Sequence, residues 1–169
     1  MNDTNELISF IASMSGEGNL RVEENLGEGF VRLRVSEAER RQAKHDIQHV
    51  EDIVIEMLRN ARDAGATRIY VATFREEGVR SLLFLDNGCG VPEDMRERIF
   101  DARVTSKLES MKMDRWGVHG RGMALFSIRQ NVDEVEVVAS GKDLGSSFKV
   151  LVNTSVLNER ADQSSWPIA

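Results

Sequence analysis

Residues 56–66 read Glu-Met-Leu-Arg-Asn-Ala-Arg-Asp-Ala-Gly-Ala, and residues 86–90 read Asp-Asn-Gly-Cys-Gly. The apolar residues of the first stretch recur at helical spacing, which predicts the end of an amphipathic helix. That helix should stop at Gly65, because glycine suits the left-handed position that follows a helix. Glu56 and Asn60 are four residues apart, so they lie on one helix face, about one turn from each other. The second stretch predicts a glycine turn directly after a buried strand.

Composition is typical of a globular protein. The chain has 169 residues, which suits one domain with a real core, and 41% of them are hydrophobic and 30% charged. The net charge of −6 argues against a general nucleic-acid-binding surface. A single cysteine excludes an internal disulfide framework and suits a reducing compartment. Because the apolar runs are far too short for a membrane span and the N-terminus lacks the basic start of a signal peptide, we expect a cytoplasmic protein without a membrane partner.

The order of the periodic segments predicts an α+β fold. Helices are expected at residues 5–14, from the capping box at Ser36 to about Ala64, at 92–100 and at 123–130. Strands are expected at residues 20–23, 30–35, 68–74, 79–85, 135–139 and 147–152. We expect a two-layer sandwich, in which one mixed β-sheet is covered by helices on one face. We divide the chain into an N-terminal helix and hairpin, a main domain, and a polar tail or linker, over residues 1–35, 36–152 and 153–169.

Three polar side chains in the opening stretches could carry chemistry. A carboxylate at Glu56 can polarise a water molecule, and the amide oxygen of Asn60 can bind a hard cation such as Mg²⁺. The alternative is a surface glutamate beside a capping asparagine, which is common on exposed helices. Asp86 ends a buried strand, where a carboxylate is costly unless paired, and the exocyclic amine of a purine is a suitable donor. The alternative there is an ordinary tight turn, in which Asp-Asn-Gly is frequent.

A second glycine-rich stretch precedes the helix expected at 123–130. Residues 117–122 read Gly-Val-His-Gly-Arg-Gly. Glycines before a helix N-terminus expose backbone N–H groups to a phosphate. The stretch lacks the Gly-Lys-Ser/Thr ending of a Walker loop, and it follows a loop, whereas a Rossmann fingerprint follows a strand. On its own this stretch is a weak indication of a nucleotide site.

In this order and spacing, the stretches resemble the Bergerat-type (GHKL) ATPase superfamily, which includes gyrase B, heat-shock chaperones, sensor histidine kinases and MutL. The resemblance covers residues 47–148 and implies the Bergerat fold, with ATP and Mg²⁺ as cofactors. It implies that Asn60 binds Mg²⁺, that Asp86 reads adenine, and that Glu56 is the general base. It also implies Lys107 as a catalytic contact to phosphate. The other residues that it implies in ATP binding are Asp63, Gly88, Gly90, Thr105, Gly117, His119, Gly120, Arg121, Gly122 and Ser146.

The resemblance does not select one activity. Residues 60–67, 86–90 and 105–107 are similar to MutL, residues 117–120 to gyrase B, and residues 100–107 to sensor kinases. We expect Mg-dependent ATP binding with ATP hydrolysis. The alternatives are a protein kinase that phosphorylates a separate partner, a non-hydrolysing ATP-gated interaction module, and a MutL-like repair ATPase. A protein partner or a homodimer is expected, and nucleic acid is not.

Two histidines invite other interpretations that we do not favour. His45-Asp-Ile-Gln resembles the start of a kinase acceptor helix, but it precedes Glu56 on the same predicted helix, whereas sensor kinases carry the acceptor on a separate helix pair. His45 and His49 are four residues apart, as in zinc-binding helices, but a third ligand is not evident.

Overall fold

The computed structural model describes residues 22–106, 113–114, 117–118 and 122–160; at 113–114 and 117–118 it describes the backbone alone. The expected helix at 5–14 and the chain end beyond Arg160 therefore lie outside the described residues. So do four expected site residues, which are Lys107, His119, Gly120 and Arg121.

The described elements follow the expected α and β order. The helices are α1 (Glu37–Asp46), α2 (Val50–Asp63) and α3 (Ala124–Asn131). The strands are β1 (Val22–Gly27), β2 (Phe30–Leu33), β3 (Ile69–Glu76), β4 (Val79–Asp86), β5 (Val104–Thr105), β6 (Met113–Asp114), β7 (Gly117–Val118), β8 (Glu134–Ser140) and β9 (Ser146–Asn153). The single helix expected at 92–100 is wrong: the structure has two 3₁₀ turns, Glu93–Met95 and Arg98–Phe100. Both turns are closed by backbone hydrogen bonds between residues three apart. In the first turn, for example, the Met95 N–H donates to the Pro92 carbonyl at 3.0 Å.

Four strands form the main sheet, in the order β3-β4-β9-β8. They confirm the strands expected at 68–74, 79–85, 135–139 and 147–152. From the sequence we expect a mixed sheet. In the structure, every pairing among these four described strands is antiparallel. In the register, Leu82 is opposite Val150 and Phe84 is opposite Phe148. All four side chains are buried, so this face of the sheet is the core face.

The helices cover that one face. Val50, Ile53 and Met57 of α2 belong to the same buried cluster as the inner side chains of β4 and β9. On the opposite face of the sheet, Tyr70 and Phe74 are exposed. The two-layer α+β class is therefore confirmed. No helix among the described residues has the length and apolar character needed to cross a membrane.

The helix expected from Ser36 to Ala64 is wrong in one respect, because it breaks into α1 and α2. Ser36 does form the expected capping box with Glu39. The chain then becomes extended at Ile47 and His49, and Ile47 inserts into the core, where it is 2% exposed. A second cap restarts the helix, since the Asp52 carboxylate accepts the N–H groups of Gln48 and His49 at 3.0 and 2.9 Å.

A small second sheet joins the N-terminal hairpin to the segment that follows the 3₁₀ turns. Its strand order is β1-β2-β5, and Val31 of β2 is opposite Thr105 of β5. Leu26 and Phe30 of the hairpin belong to the main core. The hairpin thus packs as part of the main body, and it fixes the position of Thr105.

Candidate functional site

A cavity of about 510 Å³ gathers most of the expected site residues that the structure describes. Its size lies within the range of ligand pockets, roughly 300–1,000 Å³. It is bounded by α1, α2, the end of β4 and the start of α3. The expected residues that line it are Glu56, Asn60, Asp63, Asp86, Gly90, Thr105, Gly122 and Ser146. Gly88 is described but does not line the cavity, and Gly117 is described in its backbone alone.

Helix α2 positions Glu56 and Asn60. Its buried side packs into the core through Val50, Ile53, Met57 and Ala61, which turns the adjacent face toward the cavity. Glu56 Oε1 accepts a hydrogen bond from Arg59 Nη1 at 2.5 Å, and both side chains are about one-quarter to one-third exposed. The carboxylate of Glu56 is thus held at the cavity wall by a charged neighbour one turn along the helix.

The N-terminal cap of α2 depends on the ionised carboxyl of Asp52. Burial alone raises the pKa of this carboxyl. The N–H groups of Gln48 and His49 and the guanidinium of Arg160 outweigh burial, so the pKa of Asp52 lies below its ordinary value of 3.8. A lowered pKa in the folded state means that the ionised form stabilises the fold above pH 3.8. That contribution is lost as the pH falls through the folded-state value.

Replacing Asp52 with asparagine should therefore destabilise the protein in a pH-dependent way. We expect the variant Asp52→Asn to lose about 1 kcal/mol of unfolding free energy at neutral pH, because a neutral amide is a weaker cap. The deficit should start to shrink as the pH falls below 3.8, and it should disappear once the pH is below the lowered folded-state pKa, where the wild-type carboxyl is itself protonated. Urea unfolding across pH measures both values, and the exposed Asp94→Asn is the control. An equal deficit at every pH would contradict this account.

The end of the cavity beside the main sheet is built where β4 meets β9. Asp86 and Ser146 are directly opposite each other in the register, and both are buried, at 9% and 6% exposed. Asp86 Oδ1 accepts the N–H of Gly88 at 2.8 Å, which fixes the carboxylate. Its other oxygen, Oδ2, has no hydrogen-bond partner within the described part of the chain.

Three glycines at this end allow close backbone packing. A Cβ on Gly88 would lie 2.8 Å from the Ala64 carbonyl oxygen. A Cβ on Gly90 would overlap the Gly141 carbonyl oxygen, and one on Gly145 would overlap the Asp86 carbonyl oxygen. Gly88 is therefore required by the contact between the 86–91 turn and Ala64 at the end of α2, whereas Gly90 and Gly145 are required by the contact between that turn and the β8–β9 connection. The sequence alone suggests a different reason for the first two, which is the approach of a flat base.

The overlap at Gly145 makes a quantitative prediction. Gly145 has φ +79°, and its missing side chain leaves room for the backbone of Asp86. The variant Gly145→Ala should lose about 2–4 kcal/mol of unfolding free energy, because left-handed strain adds to overpacking against backbone. Gly78 has φ +83°, and a Cβ added there would meet no atom within 4 Å, so Gly78→Ala should lose only about 1 kcal/mol. Urea unfolding compares them, and equal losses would contradict the packing argument.

The two ends of the segment between Ser106 and Gly122 are held side by side. The Arg103 N–H donates to the Gly122 carbonyl at 2.8 Å, and the Leu33 N–H donates to the Arg103 carbonyl at 2.9 Å. Arg103 and Gly122 both have positive φ, +62° and +71°. The Arg103 side chain forms an ion pair with Glu39 of α1. This clasp places Thr105 and Gly122 together at the cavity.

Residues 47–167 match a protein-family model described as histidine kinase-, DNA gyrase B-, and HSP90-like ATPase. The chain belongs to this ATPase family. Its α+β sandwich is accordingly the Bergerat fold, and membership implies ATP binding.

Individual relatives of this ATPase domain include DNA mismatch repair proteins. The DNA mismatch repair protein MutL of Chlorobium phaeobacteroides (strain BS1) is 33% identical over 123 residues, which are 72% of this chain and 19% of the relative. MutL of Opitutus terrae is 36% identical over 107 residues, 62% of this chain and 17% of the relative. The chain thus spans less than a fifth of the length of these curated relatives.

Solved structures of sensor kinases also resemble the ATPase domain. The catalytic domain of histidine kinase ThkA has a TM-score of 0.41 at 16% identity, covering 88% of this chain and 91% of that one. A mycobacterial sensor histidine kinase, MprB, has a TM-score of 0.39 at 12% identity, covering 88% and 93%.

The cavity has further lining residues that the sequence analysis does not identify. They are Glu39, Gln42 and Asp46 of α1, Arg59 of α2, and Met123 and Ser127 at α3. In α1 the buried residue is Ala43. Because this helix lacks an apolar stripe, its sequence does not indicate which of its polar faces lies toward the cavity. Arg59, by contrast, stands inside the opening stretch, and its position one turn from Glu56 could have identified it.

Negative charge dominates the described wall of the cavity. The carboxylates that line it are Glu39, Asp46, Glu56, Asp63 and Asp86. Among the described lining residues the single cationic side chain is Arg59, which is paired with Glu56. A polyanionic ligand would therefore need cations brought with it or supplied from outside the described residues.

Proposed function

We propose that this chain binds Mg-ATP in the cavity between α2 and the Asp86 end of the sheet, and hydrolyses it. The observation that carries the proposal is the presence of two chemically different sets of side chains in one cavity. Asp86 and Ser146 stand at one end, and Glu56 and Asn60 stand on α2. The family membership supports ATP as the ligand.

The purine would bind at the Asp86 end. The fixed carboxylate offers an acceptor to an exocyclic amine, and the ionised acceptor makes such a bond stronger than a neutral one. Ile69 and Phe84 line the cavity beside it and supply apolar surface for the ring. An adenine base therefore finds one charged acceptor and a mostly apolar wall, which is the usual composition of a small-molecule site.

The phosphates would extend toward α2 and the start of α3. Met123 provides no side-chain cap to α3, so the N–H groups of its first turn remain for an anion. In the described ranges no group of three or more His, Cys, Asp or Glu side chains is arranged to hold a metal ion. Asn60 would therefore hold Mg²⁺ jointly with phosphate oxygens, which is how Mg²⁺ commonly binds nucleotides. The ion would offset the negative charge of both ligand and cavity.

Glu56 is the residue proposed to act on water. Its carboxylate lines the cavity on the same helix face as Asn60. In hydrolysis, Glu56 would orient the attacking water and accept its proton. Lys107 and the N–H groups of the second glycine stretch are proposed to stabilise the charge that develops on the phosphate.

One assay separates the proposed hydrolase from its alternatives. The chain is incubated with ATP labelled at the γ-phosphate, with and without Mg²⁺, and free phosphate and protein-bound label are followed together. Free phosphate supports a hydrolase, and label on an added protein supports a kinase. Binding by calorimetry without either product supports an ATP-gated module. If calorimetry detects no Mg-ATP binding at all, the proposal is wrong.

A second candidate function follows from the MutL relatives. Their similarity over 62–72% of this chain favours testing a repair-type role. Such a role predicts DNA binding that weakens steeply with salt, because phosphate contacts release counterions. The net charge of −6 disfavours it for this chain alone.

A further inference from the structure

We propose that Ser140 determines the base preference of the cavity by fixing the proton of Ser146. This inference rests on the proposed function, since it concerns the purine-binding end. In the register Asp86 is opposite Ser146, and Ser146 is opposite Ser140. Residues opposite each other in antiparallel strands share a face, so the three side chains form a row across β4, β9 and β8.

The hydroxyl of Ser140 is fully engaged. Its Oγ accepts the Val91 N–H at 2.7 Å and donates to the Gly145 carbonyl at 2.9 Å. The same Oγ is 3.1 Å from Ser146 Oγ. A serine hydroxyl has one proton and two lone pairs. Because the proton of Ser140 is committed to Gly145, the hydroxyl of Ser146 must donate to Ser140.

This direction determines what Ser146 offers a ligand. With its proton turned toward Ser140, Ser146 presents only lone pairs to the cavity that it lines. Its neighbour across the strands, the carboxylate of Asp86, is also an acceptor. The base-binding end therefore consists of two adjacent acceptors, without a hydroxyl donor from Ser146.

Two acceptors discriminate between purines at position 6. An amino group there, as in adenine, donates to them. An oxo group, as in hypoxanthine or guanine, is itself an acceptor and finds no donor in Ser146. Removing the Ser140 hydroxyl would release the proton of Ser146, which could then rotate to serve a 6-oxo group. Ser140 thus acts through Ser146 as a positioning residue.

The test is the ratio of two dissociation constants, for ATP and for inosine triphosphate, measured with Mg²⁺ by calorimetry. The wild-type chain should prefer ATP. In Ser140→Ala the preference should fall by about five- to tenfold, the value of one hydrogen bond gained by the 6-oxo base. Ser140 also ties Val91 to Gly145, so the variant should bind both nucleotides more weakly. That structural effect cancels in the ratio.

Matched variants isolate the effect. Ser140→Thr keeps the hydroxyl and should keep the wild-type ratio. Ser147→Ala, at the next position of β9 on the opposite sheet face, should also keep it. If Ser140→Ala does not fold, Ser140→Cys replaces the hydroxyl with a weakly hydrogen-bonding thiol of similar size and should also reduce the preference for ATP.

The outcomes distinguish this inference from the function on which it rests. A wild-type chain that binds neither nucleotide overturns the proposed function. A wild-type chain that binds ATP but shows no preference over inosine triphosphate overturns the role of Ser140 and leaves ATP binding intact. The same conclusion follows if the preference is unchanged in the variant lacking the hydroxyl.

Discussion

Replacing Asp86 with asparagine should lower the affinity for Mg-ATP by roughly 100-fold, or about 2.7 kcal/mol. The amide has the shape of the carboxylate, so the loss reports chemistry and not a cavity. In the wild type, Asp86 Oδ1 accepts the Gly88 N–H. If the amide oxygen of asparagine keeps that bond, its NH₂ group occupies the place of the second oxygen. A donor then faces the donor amine of adenine, and a charge-assisted bond is replaced by a repulsive contact.

Calorimetry with Mg-ATP measures the Asp86→Asn effect, and thermal unfolding without nucleotide serves as its check. The fold should tolerate the substitution, since it removes a charge that is only 9% exposed and leaves the Gly88 bond possible. The exposed Asp94→Asn removes a carboxyl of the same type away from the cavity and should bind like the wild type. Wild-type affinity in a folded Asp86→Asn chain would refute adenine recognition by this carboxylate.

Local pattern was sufficient for the main sheet and the strongest site helix. Around Leu82, Phe84 and Val150, the sequences of β4 and β9 either alternate between apolar and polar residues or are continuously apolar. Over so short a stretch, alternation with a period of two residues indicates a strand and has few other interpretations. The end of α2 could be predicted because the stretch from Glu56 to Gly65 combines helical periodicity with a glycine at the position where the helix ends. Residues expected to share chemistry, such as Asp86 and Ser146, were placed together by the register of these same strands.

What the sequence could not show depends on contacts between distant segments. The break between α1 and α2 arises because burying Ile47 in the core outweighs a continuous helix, and a cap by Asp52 then becomes available. Strand β5 is two residues long and exists only through its pairing with β2. The positive φ of Arg103 follows from its clasp with Gly122. No local pattern specifies such long-range pairings.

Removing the carboxylate of Glu56 should separate turnover from binding. We expect Glu56→Ala to reduce the rate of ATP hydrolysis by roughly 10²–10⁴-fold, the usual contribution of a positioned general base. Binding of Mg-ATP should stay at the wild-type level or become tighter. The reason is that Glu56 holds Arg59 at 2.5 Å, and the described cavity wall is otherwise acidic. Without Glu56, the guanidinium becomes available to a polyanion, and one negative charge leaves the wall.

The measurement pairs steady-state phosphate release with calorimetry, because the rate of hydrolysis should fall while the affinity for Mg-ATP should not. Glu97→Ala removes a carboxylate that is 85% exposed and should leave both quantities unchanged. A second variant, Glu56→Gln, keeps the side-chain shape and should be as impaired in turnover as the alanine variant. If Glu56→Ala loses binding and turnover in equal proportion, the residue supports the nucleotide site structurally. If turnover is instead retained, the base lies elsewhere, and the Glu56–Arg59 pair would be a feature of α2 without a catalytic role.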